Sequence, residues 1–302
     1  MDHAELSRLW RAAQGTEAEE PRGSGLLGLR WVNDPATLAG AALVVLGFAA
    51  GGRPDGPAGI RLASGAYAGW RRAGAPGTGL RAVDYGDVAV DDDLTATFVR
   101  AHERLADIVA SGATPLILGG GPVVSLPVLQ VLSGKLHGRL GVVAFTPRYE
   151  VALEPAHAGA SRWARALELG VVAPGNLALV GGRAAPPDAP ALRVLEELAA
   201  HAFSVAEVAS AGMATVAQEA LEAAAAGTEA VYLSVDLGVL EGGADPIGLT
   251  ARELVEGVSV AADALLAAAD VCSDRPAAAG AGDAIAARVA AEIIAGVARQ
   301  RA

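Results

Sequence analysis

The chain has 302 residues, 52% of them hydrophobic, which is material for the core of one large α/β domain or two ordinary ones. Its 23 basic and 34 acidic residues leave a net charge of −11, and such a surface repels nucleic acid and anionic lipid, which argues against either as a partner. Cys272 is the single cysteine, so no intramolecular disulfide can form, and the opening MDHAELSRLW has no basic patch followed by an apolar core; both fit a cytoplasmic protein.

The longest apolar run, Leu38 to Gly51, falls short of the roughly 20 residues a membrane-spanning helix needs. In chain order, short apolar runs predict strands near Ala42–Phe48, Leu80–Asp84, Pro115–Leu118, Gly141–Thr146, Leu177–Val180, Ala202–Val205, Ala230–Asp236 and Ala269–Cys272. Most are continuous Val, Leu, Ile and Ala without polar alternation, the pattern of strands covered on both faces. A helix is predicted over Thr95–Ser111. Thr250 and Glu253 in LTARELVEGV form a capping box, and Ile285, Val289, Ile293 and Val297 make one apolar stripe on the last helix. Lys135 is the only lysine, and with the abundant alanine this points to GC-rich codon bias; Ala223–Ala226 is therefore read as helix filler. Alternating β and α segments predict a three-layer α/β/α sandwich around a mainly parallel sheet of about eight strands. Gly51–Gly59 and Ala184–Ala189 are too short to be linkers, so a single domain over 1–302, with 1–37 as an N-terminal extension, is expected.

In open parallel sheets ligands bind beyond the carboxyl ends of strands, so chemistry is sought at the strand exits. LILGGGPVVS carries Gly119, Gly120, Gly121 and Pro122. It departs from a dinucleotide fingerprint, with Val124 at the third glycine position, and reads better as a tight turn needing small residues. YLSVDLGVLEGGADP places Asp236 at an exit, followed by Gly238, Glu241 and Asp245; such an Asp serves equally as ligand, base or turn former. The five histidines form no H-x-H or H-x-x-x-H pair; His157 lies closest to an exit. No G-x-S-x-G elbow is present. The weak catalytic candidates are Asp236, Glu150 and His157.

The exits, in order, resemble those of the ureohydrolase family, which includes arginase, agmatinase and formimidoylglutamase. GPAGIR (residues 56–61) resembles the family's G-P-x-x-I-R, and VDYGDV (83–88) its D-x-G-D-V. PLILGGGP sits where the family has P-x-x-L-G-G-D-H, and VVAFTPRYEV where a strand ends in D-A-H-x-D. HAGASRWARALELGVV is similar to the H-G loop and following helix; VYLSVDLGVLE partly matches S-x-D-x-D-x-x-D; DVCSDRPA sits at D-x-V-E-x-x-P; and AARVAAEIIAG resembles the closing helix. The resemblance spans about 42–298 and implies an arginase-like fold. It also implies hydrolysis of guanidino or formimino groups by water bridging two manganese ions, and assembly as a trimer or hexamer.

The same alignment of motifs puts Pro122, Thr146, Arg148, Glu150, Asp236 and Gly238 at the six metal-ligand positions. Ser273 stands where the substrate-holding glutamate is expected. Only Asp236 is unchanged and only Glu150 is a carboxylate-for-carboxylate replacement. Proline and glycine side chains offer no donor, and arginine stays cationic. At about 5 Å and an effective dielectric near 20, an arginine repels a divalent ion by roughly 6 to 7 kcal/mol. The expectation is therefore a site without metal or other cofactor. Its pocket would be lined by Gly121, Pro122, Thr146, Arg148, Glu150, His157, Asp236, Gly238, Glu241 and Ser273, with Arg148 paired to Glu150 and Asp236. The first reading is a catalytically inactive ureohydrolase homologue acting as a structural, regulatory or small-ligand-binding subunit. It would be a homo-oligomer or a hetero-oligomer with an active relative. The alternatives are a divergent hydrolase of guanidino or formimino C–N bonds, and a small-anion or nucleotide binder using Arg148 and the glycine turn.

Overall fold

The computed structural model describes residues 25–67, 79–136, 139–151, 162–183, 189–242, 246–272 and 281–301. Nine strands form one all-parallel sheet: β1 (Arg30–Trp31), β2 (Leu43–Phe48), β3 (Ala82–Asp87), β4 (Thr114–Gly119), β5 (Leu140–Phe145), β6 (Val172–Gly182), β7 (His201–Ser204), β8 (Ala230–Asp236) and β9 (Leu266–Cys272). Their order across the sheet is β1-β3-β2-β4-β9-β8-β5-β6-β7. Every residue of β2, β4 and β5 is buried, as two-sided cover requires.

Nine α-helices flank the sheet among the described residues: α1 (Gly56–Ser64), α2 (Leu94–Ala110), α3 (Ser125–Leu136), α4 (Arg162–Glu168), α5 (Ala189–Glu197), α6 (Val205–Ala211), α7 (Met213–Ala225), α8 (Ala251–Ala261) and α9 (Ala281–Gln300). Ile60, Val208, Val216, Leu254, Val258 and Ile293 place α1 and α6 to α9 over one face. Leu105, Leu129, Trp163 and Leu195 place α2 to α5 over the other. This is the expected α/β/α sandwich.

All eight expected strands are present, Ala230–Asp236 with the expected bounds and the others with shifted ends. The two-residue β1 was not foreseen, because two residues carry no periodicity. It is held by pairing of Arg30 and Trp31 with Val83 and Asp84, and by the buried Leu26, Leu27 and Leu29 just before it. β6 begins five residues earlier than expected, at Val172, ahead of the continuous apolar run Leu177–Val180 that marked it. The apolar stripe of α9 faces inward, with Val289, Ile293 and Val297 buried and Ile285 packed at its margin.

The capping box on α8 forms as expected. The Thr250 hydroxyl accepts from the Glu253 N–H at 3.2 Å and the Glu253 carboxylate accepts from the Thr250 N–H at 2.8 Å. Thr250→Ala is expected to lower stability by about 1 kcal/mol, read as a shifted midpoint in urea unfolding with an unchanged slope.

Two of the family-like motifs meet in the interior. Arg61, from GPAGIR, donates from Nε and Nη2 to the two carboxylate oxygens of Asp84, each at 2.9 Å, and from Nη1 to Asp87 at 2.6 Å. Asp84 and Asp87 are the acids of VDYGDV. Asp84 also accepts from the Leu26 N–H at 2.9 Å, and Arg61 stacks over Trp31 with 4.7 Å to the ring centroid. The clasp ties α1, β3 and the segment leading to β1 together. A forked, permanently charged donor suits a bidentate carboxylate in this buried place.

Candidate functional site

Strand register assembles the site. Gly119 of β4 pairs with Cys272 of β9, Cys272 pairs with Asp236 of β8, and Val235 pairs with Phe145 of β5. Four strand ends from distant parts of the chain therefore lie side by side. The residues leaving β4 and β5, Gly120 to Ser125 and Thr146 to Glu150, sit at a common mouth.

A guanidinium fills the middle of this mouth. Arg162, the first residue of α4, is fully buried. Its Nε lies 2.5 Å from a carboxylate oxygen of Glu150. Its Nη1 approaches the Pro122 carbonyl oxygen at 3.4 Å and the Ser125 hydroxyl at 3.5 Å, and its Nη2 donates to the Thr146 hydroxyl at 3.3 Å. The neighbouring Trp163 ring lies beside the Arg162 guanidinium carbon, 4.6 Å away at its centroid. Glu150 sits in the left-handed backbone region with φ of +45°, a conformation costing a residue with a Cβ about 1–2 kcal/mol. That bend lets the chain turn back so that Glu150 reaches Arg162.

Beneath the guanidinium lies a buried polar cluster on Asp270. Its carboxylate accepts from Ser125 at 3.0 Å, from Ser234 at 3.1 Å and from the Tyr232 hydroxyl. Ser125 links the two layers, since Arg162 reaches it from above. Burial raises the pKa of Asp270, against the lowering effect of Arg162 and of its three hydroxyl donors. Burial likewise pushes Tyr232 up, with Asp270 adding to the effect. It also pushes up the thiol of Cys272, with Asp236 and Asp270 adding to it, so that sulfur is held as a neutral thiol rather than a nucleophile. Burial and, secondarily, the Asp236 charge outweigh Arg162 at Glu150 and raise its pKa to about 7. Burial opposes the charge on Arg162, but the carboxylates of Glu150, then Asp236 and Asp270, offset it and hold the guanidinium cationic.

The expected partner of Glu150 is corrected. Arg148 is exposed, and its charge is the smallest of the named influences on Glu150; the buried partner is Arg162. Packing in the bend after β5 accounts for the reversal. Tyr149 takes the inward direction, 1% exposed, packed so closely on Gly182 that a Cβ there would lie 2.3 Å from the ring. Its neighbour Arg148 is left pointing outward. Sequence reading missed Arg162; its signal was an arginine set among the apolar residues of SRWARALELG, on the helix that follows the mouth segment.

Of the other expected pocket residues, Thr146 is buried and Pro122 contributes its carbonyl oxygen. Asp236 is 4% exposed and accepts from the Gly238 N–H at 2.8 Å. Gly238 lies beside it, where a Cβ would sit 3.0 Å from the Asp236 carboxylate and 3.3 Å from Pro147. Glu241 is exposed, on a loop that Arg183 fastens by donating to the carbonyl oxygens of Gly238, Leu240 and Ile247. His157 and Ser273 lie outside the described residues.

Gly121 and its neighbours are committed to backbone packing. A Cβ on Gly52 would lie 2.0 Å from the Gly120 carbonyl oxygen, one on Gly120 2.4 Å from that of Arg53, and one on Gly121 2.3 Å from that of Gly51. The Gly120 N–H donates to Phe48 and its carbonyl accepts from Arg53. The turn after β2 and the turn after β4 thus interlock, and the small residues serve that contact.

The nine-stranded parallel sandwich, with polar residues gathered at aligned strand ends, is the architecture of an α/β protein with an arginase-like fold. The arginase family model matches residues 36–298, and the chain belongs to the arginase family. It is similar to the mitochondrial agmatinase of Gallus gallus, 40% identical over 83 residues, which are 26% of this chain and 24% of that protein. The chain thus spans about a quarter of the length of that curated relative. Among solved structures, a hypothetical agmatinase from Burkholderia thailandensis superposes with a TM-score of 0.80 at 22% identity, covering 92% of each chain. Proclavaminate amidino hydrolase from Streptomyces clavuligerus gives 0.78 at 22% identity, covering 92% of this chain and 98% of that one. Among the described residues, no helix is long and apolar enough to cross a membrane.

Proposed function

We propose that this member of the arginase family is not a working hydrolase and serves instead as a structural, regulatory or small-ligand-binding subunit. The observation that carries this reading is the buried Arg162 guanidinium, in contact with Pro122, Thr146 and Glu150, three of the positions at which the family resemblance expects metal ligands. Two divalent ions held close together need several carboxylates and imidazoles to offset their repulsion. Around Arg162 the donors named above are the carboxylates of Glu150, Asp236 and Asp270, hydroxyls and a peptide oxygen, with no imidazole and with a fixed cation already among them. This donor set does not fit a dimanganese centre.

The test is metal analysis of protein purified without chelator, joined to assays of urea or ammonia release from agmatine, guanidinobutyrate, arginine and formimidoylglutamate. Substoichiometric metal and no release are expected; stoichiometric manganese with turnover would overturn the reading. One observation favours a second reading, a divergent hydrolase. The charge of Asp236 contributes to raising the pKa of Glu150, so the two carboxylates act on one another. The same assays decide between the two, with His157 as the remaining candidate base. The assembly we propose is a homo-oligomer, or a hetero-oligomer with an active relative, in the cytoplasm. Sedimentation of the chain alone and with such a relative would tell these assemblies apart.

A further inference from the structure

Resting on the reading above, we propose that the mouth is a socket shaped for one planar guanidinium, that Arg162 is its tethered occupant, and that cutting away this side chain leaves a site for free guanidinium.

The contacts follow the fork of the group. Glu150 meets the Nε edge, Pro122 and Ser125 the Nη1 end, and Thr146 the Nη2 end. None of these acceptors belongs to α4. Pro122 and Ser125 follow β4, and Thr146 and Glu150 follow β5, so all are held in place by the sheet and the interlocked turns. Ser125 is anchored from below by Asp270, and the Thr146 hydroxyl is fixed by donating to the Arg148 carbonyl oxygen at 2.8 Å. A planar cation with donors along its whole rim reaches groups spread around it, with Glu150 held as an ion-pair contact. An ammonium is a compact point charge with three donors and cannot span them. Asp236 and Asp270 supply negative potential to the same place, since both act on Arg162. The socket therefore selects by shape as well as by charge.

The experiment uses the full chain carrying Arg162→Ala, melted in millimolar guanidinium chloride, methylammonium chloride, sodium chloride and manganese chloride at matched ionic strength. These concentrations lie far below the molar range in which guanidinium denatures. Guanidinium is expected to raise the Tm of the variant, saturably, by roughly 2 °C at ten times its Kd, and to leave the wild-type chain unmoved. No shift, or an equal shift from methylammonium, overturns the proposal. Stabilisation of the variant by manganese and not by guanidinium also overturns it, whereas the metal content of the wild-type chain tests the preceding reading on its own. Should Arg162→Ala accumulate unfolded, refolding yield carries the test. Recovery in guanidinium but not in sodium chloride supports the socket, and recovery in neither overturns it.

Discussion

Arg162→Met is expected to lower the unfolding free energy by about 3–5 kcal/mol at pH 8, the usual cost of removing one partner from a buried ion pair. The penalty arises from what remains. Arg162 lowers the pKa of Glu150 and also faces Asp236 and Asp270, so without it the fold at pH 8 must either bury the Glu150 charge uncompensated or take up a proton, and both are costly. Methionine also leaves the Thr146 hydroxyl and the Pro122 carbonyl oxygen without their donor. Arg148→Met, two residues from Glu150 but exposed, is expected to change stability by no more than about 0.5 kcal/mol. Urea unfolding of the two variants side by side checks the assignment; equal losses would remove Arg162 from its place. Adding Glu150→Gln to Arg162→Met is expected to restore part of the loss, because the uncompensated carboxylate goes with it.

Glu150 makes stability depend on pH. Unfolded, it titrates near 4.5; folded, near 7, because burial disfavours its charge. Between these values the folded state holds a proton that the unfolded state has released. Its contribution to stability is thus complete below pH 4.5 and is lost as pH rises to about 7. The span corresponds to about 3 kcal/mol. Glu150→Gln cannot titrate, so the difference in unfolding free energy between wild type and variant is expected to change by that amount across the window and to be flat above it. Parallel profiles for the two proteins would mean that Glu150 ionises freely in the fold.

The parts of this protein that sequence conveyed best are those whose signal is local or repeated. Continuous apolar runs marked the strands because both faces are covered, and Thr250 with Glu253 marked a helix start because the cap is made by residues three apart. GPAGIR and VDYGDV stood out as family-like, but that Arg61 of one grips both acids of the other is a matter of packing between a helix and a strand. At the mouth, the buried partner of Glu150 is Arg162 and not the expected Arg148. Position along the chain put Arg148 at a strand end; it could not show that Tyr149 would claim the inward direction against Gly182, or that a bend at Glu150 would turn the carboxylate towards a different arginine. Which of two cations enters a core is decided by the shape of the space, and spacing alone does not carry that information.

The interlocked turns at Gly51–Arg53 and Gly119–Gly121 have an evolutionary consequence. Gly52, Gly120 and Gly121 are each moulded on backbone of the opposite turn, so none of the three can accept a side chain unless its counterpart retreats. Drift at these positions is arrested in pairs, whatever the protein does for its cell. A run of glycines there records the mutual fit of two crossovers, and it would outlast the gain or loss of any ligand above it.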